Sequence, residues 1–413
     1  MNSWPTEKLS KLCDRIGDGI HGTPEYCTDS DIFFINGNNL KEGKIEFVSG
    51  TKRVSGDELS TNFIELNENS LLISINGTLG SMAFYNGEKV MLGKSAAYLN
   101  FKTPINKFYY YYFQLPGIQE HFHNVATGST IKNLSLKSIQ ELEVPVPKKN
   151  HWIGIVDVLN SLDSKIDLNN KINDNLERMA KTIYDYWFVQ FEFPNTKGKA
   201  YKGNGGKMVW NEELKRKIPE GWEVNKIGKI LQTSLGGTPS TKVKEYWDNG
   251  TVRWLNSGEI ANFPIIDSEL KITEAAIKNS ATDLLPKGSV MLSITRHLRP
   301  SILAIDACAN QSVVGIKEKG DLKCYFLYPY LQNDIPRLME MRSGAQQPHI
   351  NKEIVDESLI LIPNHQSNIL KEYNSKVGSL YERIINNSFQ NQKLIELRDW
   401  LLPMLMNGQV KVK

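Results

Sequence analysis

Three stretches of the chain carry residue types that could do chemistry, and each fails on spacing or setting. GKSAA at 93–97 resembles the end of a phosphate-binding loop, in which backbone amides of a glycine-rich turn cradle phosphates. Gly87 and Gly93, however, enclose five residues where that loop has four, and the segment follows a strand-like run instead of opening a helix. Asp267, Glu269 and Lys271 match the acidic-x-lysine pattern with which nucleases hold a divalent cation. In a chain with 23% charged residues such triplets arise by chance, so a solvated loop is the plainer reading. His121 and His123 have no acidic or cysteine partners at ligand spacing and suit a helix surface. GDGIHG at 17–22 reads as a turn at a strand edge, and no Asn-Pro-Pro-aromatic tetrapeptide, the mark of amino-methyltransferases, occurs. The sequence points to binding, with no catalytic centre and no metal site.

Composition bounds what could be bound. At 413 residues with 40% apolar content the chain has room for two or three domains with real cores. A net charge of only +3 creates no global field, so any face for nucleic acid must be local. Cys13, Cys27, Cys308 and Cys324 form no CxxC pair and suit free thiols in a reducing compartment. No apolar run is long enough for a membrane span and the start MNSWPTEKLS lacks a signal peptide's apolar core, so the expected location is the cytoplasm.

The elements that would position a binding face appear twice. GTPEY at 22–26 returns as GTPST at 237–241, LLISING at 71–77 as VMLSITR at 290–296, and ATGSTIKNLSLKSIQELEVPVP from 126 as RSGAQQPHINKEIVDESLILIP from 342. Short runs rich in Ile, Val, Phe and Tyr, broken by Gly, Pro, Asn and Asp, read as strands and tight turns. FYYYYFQLPGIQEHF at 108–122 and CYFLYPYLQNDIPRL at 324–338 read as buried aromatic helices interrupted by proline. Each copy closes with a long helical stretch, about 151–190 and 365–405, and the glycine-rich segment 194–218 reads as a linker. The expected organisation is a module over 1–150, a helix over 151–192, a linker over 193–218, a second module over 219–364 and a second helix over 365–413. The fold class is α+β, with two pseudo-repeated mixed α/β modules and two long helices pairing as an antiparallel coiled coil.

The two helical stretches align without a gap. Leu162, Ile166, Asn169, Asn173 and Leu176 match Leu380, Ile384, Asn387, Asn391 and Leu394, every pair 218 apart, in the four-three spacing of a heptad seam. Asparagine in a seam weakens the pairing but rejects slipped registers, which would bury amides without partners. If a pseudo-twofold axis crosses the seam, the helices run antiparallel, with Asn169 facing Asn391 and Asn173 facing Asn387. Two divergent modules carried on a rod suit a long ligand with two different features. A helix of about 40 residues spans on the order of 60 Å, commensurate with one to two turns of duplex DNA at about 34 Å each.

At this point the residues carry a family resemblance. LDSKIDLNNKINDNLERMAKTIYDYWFVQF followed by IPEGWEV, then GGTPSTKVKEYW with WLNSGEI, then SGAQQPHINKE ahead of LILIP, together resemble the specificity subunit of type I restriction-modification enzymes over essentially the full length. The resemblance implies two target-recognition domains reading an asymmetric bipartite DNA site, spacer helices that dock two methyltransferase subunits, and restriction subunits completing a complex that defends against foreign DNA. S-adenosylmethionine, ATP and magnesium would be held by those partner chains and none by this one.

Base edges are read by Arg, Lys, Asn and Gln, while Ser, Thr and backbone amides anchor phosphates. In the second module the candidates are Arg296, His297 and Arg299 in TRHLRPS; Gln346, Gln347, His349 and Asn351 in SGAQQPHIN; Gln311; and Thr238, Ser240 and Lys242 for phosphates. Position in the repeat selects Thr23, Asn76, Thr78, Lys94, Ser129, Thr130 and Lys132 in the first module. The family often has Asn-Gln before the small-residue strand. The second module keeps it as Asn310 and Gln311, whereas the first has Gly93 and Lys94. Two other functions fit the residues: a two-domain coiled-coil scaffold that binds proteins, or a self-contained DNA-modifying enzyme.

Overall fold

In a computed structural model, described for residues 4–128, 132–344, 348–364, 367–410 and 412, the chain divides into two units. Met1–Ser164 with Leu394–Lys413 form one, and Lys165–Lys393 the other. Each unit therefore combines one module with one part of each long helix. The helices run over Lys149–Tyr184, extended by a π turn at Asp185–Val189, and over Ile369–Met406.

The two modules repeat one topology. In the first unit an antiparallel sheet has the order Cys13–Asp18, Ala96–Phe101, Ser70–Ser74, Met82–Phe84; in the second the order is Thr233–Leu235, Val313–Ile316, Val290–Ser293, Arg299–Ile302. A second sheet in each contains a parallel pair, Ile32–Ile35 with Val90–Leu92 and Val252–Leu255 with Ala307–Ala309, flanked by Arg53–Val54 and Leu270–Ile272. Two glycines show how tightly these layers close. A Cβ at Gly19 would lie 2.0 Å from the Leu92 carbonyl oxygen, and one at the matching Gly236 would lie 2.2 Å from that of Asn310. Within GDGIHG, Gly19 thus serves a close backbone approach between strands.

Aromatic helices seat each module on the long helices. In the first unit Phe108, Tyr109, Tyr111 and Phe113 share a core with Ile155, Leu159 and Leu405. In the second, Phe326, Leu327 and Tyr328 share one with Tyr184, Phe188, Tyr373 and Tyr381. A tyrosine of each aromatic helix donates a hydrogen bond to a carboxylate of the first long helix, Tyr111 to Asp163 and Tyr328 to Glu177, both at 2.7 Å, although the two do not occupy equivalent positions in the repeat. The expected proline interruption occurs only in the first copy, where Asn106–Phe113 ends and Pro116 opens a new helix at a position that lacks no hydrogen bond. In the second copy one helix, Cys324–Glu340, runs on through Pro329 and Pro336. Burial of Phe326, Leu327, Leu331 and Leu338 offsets the lost backbone bonds there.

Segment 194–218, expected to be a plain linker, is folded as well. It forms a stapled loop followed by a hairpin of Met208–Asn211 with Arg216–Pro219, whose inward residues Val209 and Ile218 meet the second core.

The helix pair is antiparallel within each unit. Asp163 bonds Arg398 at 3.0 Å while a Cβ on Gly154 would approach Val412 in the first, and Asn169 meets Asn391 while Asn173 meets Asn387 in the second. Asn169, Asn387 and Asn391 are only 1%, 5% and 8% exposed, so their amides need partners. The Asn169 amide donates to Asn391 Oδ1 and to Gln390 Oε1, both at 2.8 Å; Asn391 donates to Asn170 Oδ1 at 2.7 Å; Asn387 donates to Asn173 Oδ1 at 2.8 Å. Leu176, Leu380 and Ile384 pack in the core of the second unit beside them, and Leu162, Ile166 and Leu394 are half-buried. Removing one buried amide strands the other's hydrogen-bonding groups, at a cost of about 1–3 kcal/mol. Asn169→Ala should therefore lower unfolding stability by that amount in urea titration. Asn169→Leu with Asn391→Leu should recover most of the loss, because both partners of the central pair are then replaced by apolar groups.

Candidate nucleic-acid interface

In each module the strand ends gather three loops. In the second unit a chain of backbone and side-chain bonds links them: Gly237 N–H donates to Ala309 O (2.8 Å), Thr238 Oγ1 to Gln311 Oε1 (2.5 Å), Ile294 N–H to Ser312 O (3.0 Å) and Ile350 N–H to Ile294 O (3.0 Å). The first unit repeats the scheme with Ile20 to Leu92, Ile75 to Ser95 and Leu134 to Ile75. Short bridges close each cluster, Thr295 and Ser343 against His349 in one, Asn76 and Thr127 against Asn133 in the other. Residues distant in sequence thereby share one end of the main sheet.

Thr238, Ser240, Lys242, Arg296, His297, Arg299, Gln311 and His349 are all exposed there. Trp254 and Trp247 hold the GTPST loop from behind, their indole N–H groups donating to Gly237 O at 3.0 Å and Ser240 O at 3.2 Å. With Thr238, Thr241, Lys244 and Leu270 they line a shallow groove. Sequence reading missed these tryptophans and Lys244, although KVKEYW follows the motif directly. Arg342 was missed too, and its guanidinium donates to Arg296 O at 3.3 Å.

Several candidates already serve the fold. Asn351 accepts from Ile354 N–H at 2.9 Å and caps Lys352–Asp356, as Ser135 caps Leu136–Gln140 in the first copy. Thr78 donates to Gly37 O at 2.8 Å, and the Lys132 ammonium donates to His123 O, also at 2.8 Å. Thr23 and Lys94 are exposed and Asn76 is half-buried. Ser129, Thr130, Gln346 and Gln347 lie outside the described residues.

Arg296 stands apart. Its backbone is left-handed, φ +57°, at the position where the first copy has Gly77 at φ +71°. Its N–H donates to Pro348 O at 3.1 Å while its carbonyl accepts from Arg342, so the turn is clamped on both sides and the side chain is left exposed. Glycine adopts this conformation without penalty, whereas a side chain adds strain of order 1 kcal/mol or more. The arginine therefore carries a conformational cost that the glycine of the first copy does not.

Asp267 and Lys271 are tied into the second module. Asp267 pairs with Arg253 at 3.0 Å and accepts from Gln392 at 3.2 Å, and Lys271 sits on a strand opposite Arg253. His121 and His123 lie exposed on a helix. Cys13, Cys308 and Cys324 are buried free thiols; burial pushes Cys13 up to about 12 and Cys308 up to about 11. Among the described residues no cluster of three His, Cys, Asp or Glu could hold a metal, and no helix is long and apolar enough to cross a membrane.

The fold is thus a duplicated α/β module, each copy joined to parts of an antiparallel helix pair and carrying a cluster of polar loops. Comparison with known proteins gives the family. The family model described as type I restriction modification DNA specificity domain matches residues 27–178 and 219–395. The MjaIX type I restriction enzyme specificity subunit of Methanocaldococcus jannaschii is 28% identical over 316 residues, 75% of this chain and 70% of that protein. The HindI specificity subunit of Haemophilus influenzae is 24% identical over 346 residues, 70% of this chain and 74% of its own. In fold, the crystal structure of a type I restriction-modification S subunit from M. genitalium matches with a TM-score of 0.57 at 16% identity, covering 97% of this chain and 96% of that one. The chain belongs to the type I restriction-modification specificity subunit family.

Arg296→Gly separates fold from readout. It should leave thermal stability unchanged or raise it slightly, because strain is relieved. It should also weaken binding to the preferred duplex by the about 1–3 kcal/mol of one base-edge contact, seen in a fluorescence titration.

Proposed function

We propose that this chain reads a bipartite, asymmetric DNA site as the non-catalytic subunit of a cytoplasmic type I restriction-modification complex. Each module would read one half-site through its gathered loops, Thr238, Ser240, Lys242, Arg296, His297, Arg299, Gln311 and His349 in the second and Thr23, Asn76 and Lys94 in the first. The carrying observation is that the two modules share strand order while differing in these loops: Gly77 against Arg296, and Gly93 with Lys94 against Asn310 with Gln311. Shared scaffolds with different loops suit two different short sequences, because base readout resides in side chains at groove edges. The long helices would dock two methyltransferase subunits. Those and the restriction subunits would hold S-adenosylmethionine, ATP and magnesium.

The test is retention of the full chain on duplex DNA as salt is raised. The logarithm of affinity should fall linearly with the logarithm of salt concentration, and the isolated chain supplied with S-adenosylmethionine and magnesium should neither methylate nor cleave. Salt-insensitive retention would favour the protein scaffold, and turnover by the chain alone would favour the self-contained enzyme.

A further inference from the structure

Residues 195–207, NTKGKAYKGNGGK, lie between the first long helix and the second module, outside the loops described above. Four lysines and no acid give this stretch +4, more than the +3 of the whole chain, so the rest of the chain is net negative by one. The stretch is built, not loose. Asn195 Oδ1 accepts from the N–H groups of Lys197 (2.9 Å) and Lys199 (3.0 Å), and Asn195 N–H donates to Lys199 O at 2.8 Å. Tyr201 stacks on Phe193 with centroids 4.6 Å apart, Phe193 stacks on Trp222 at 5.0 Å, and the Tyr201 hydroxyl donates to Lys207 O at 2.8 Å.

Charge on this platform is unevenly compensated. Lys207 pairs with Glu220 at 2.5 Å, and the Glu192 carboxylate accepts from Gly203 N–H at 2.9 Å. Lys197, Lys199 and Lys202 are exposed and have no carboxylate within ion-pair distance among the described residues. We propose that this loop is a second, sequence-independent anchor for duplex DNA, with Lys197, Lys199 and Lys202 set against backbone phosphates. The proposal rests on the DNA-reading function given above.

Phosphate suits the loop better than an acidic protein face does. Protein interfaces are depleted of lysine and depend on buried apolar or aromatic anchors, whereas the aromatic ring of this loop is turned inward onto Phe193 and its exposed residues are lysine, glycine, threonine and asparagine. Lysines and exposed amides are the usual phosphate ligands. A loop already ordered by its asparagine turn and aromatic stack loses little further freedom when it binds.

The test compares the full chain with Lys197→Gln/Lys199→Gln/Lys202→Gln and with the matching Lys→Arg triple. Two probes are used: a duplex enriched by the chain from a random pool, and a mixed-sequence duplex of equal length. With about 0.9 in slope for each phosphate contact, the glutamine triple should make the log-affinity against log-salt slope shallower by roughly 2–3 on both duplexes. Their affinity ratio should stay unchanged, and the arginine triple should keep the original slope. An unchanged slope in the glutamine triple, with the parent still binding, overturns the anchor and leaves the DNA-reading function standing. Loss confined to the enriched duplex also overturns it, since the loop would then belong to base readout. Weakened assembly with methyltransferase subunits at an unchanged slope assigns the loop to a protein partner instead. Absence of salt-dependent binding in the parent chain removes the DNA-reading function and the anchor together.

Discussion

Amide-to-amide hydrogen bonding between two helices is the constraint on which the rest of the structure depends. Asn169 with Asn391 and Asn173 with Asn387 sit where a heptad seam would ordinarily place leucine. A shift of one helix by a single turn would leave several buried amides unpaired, each costing about 1–3 kcal/mol. An all-leucine seam would be stickier but more tolerant of slippage. All four asparagines lie in the second unit, where they set the register of the two helix segments on which its module is seated.

Above that constraint, the modules show which features a duplicated fold keeps and which it releases. Strand order, the parallel pair, and the capped helices at Leu136–Gln140 and Lys352–Asp356 are retained. The loop ends are released, and there a glycine faces an arginine in the same left-handed turn. The retained features bury apolar surface or satisfy backbone groups, and a change in any of them would cost stability. The divergent ones project from finished turns, where substitution leaves the core and the strand pairing untouched. On the proposed reading this is how one scaffold serves two half-sites.

The repeat, the long helices and their seam were legible in the sequence because a gapless heptad survives as a pattern of residue types at fixed spacing. Other features were not. Asparagine is equally suited to cap a helix and to bond a base, so the capping bond of Asn351 to Ile354 was not legible in the residue type. Thr78 and Lys132 were obscured in the same way, since their partners, Gly37 and His123, are backbone carbonyls that no residue type announces. The left-handed turn at Arg296 was hidden because arginine carries no turn signal, although the alignment with Gly77 held the clue. The hairpin over 208–219 escaped because its strands are four residues long and follow a glycine-rich stretch that reads as flexible chain.

On the proposed function, two different modules of one chain read two different short sequences with a gap of constant length between them. Selection of bound duplexes from a random-sequence pool by the complex containing this chain tests it most directly. The account predicts two unlike blocks of preferred bases separated by a gap of constant length and indifferent sequence. A single uninterrupted block, a palindrome, or two blocks whose separation varies from clone to clone would contradict it.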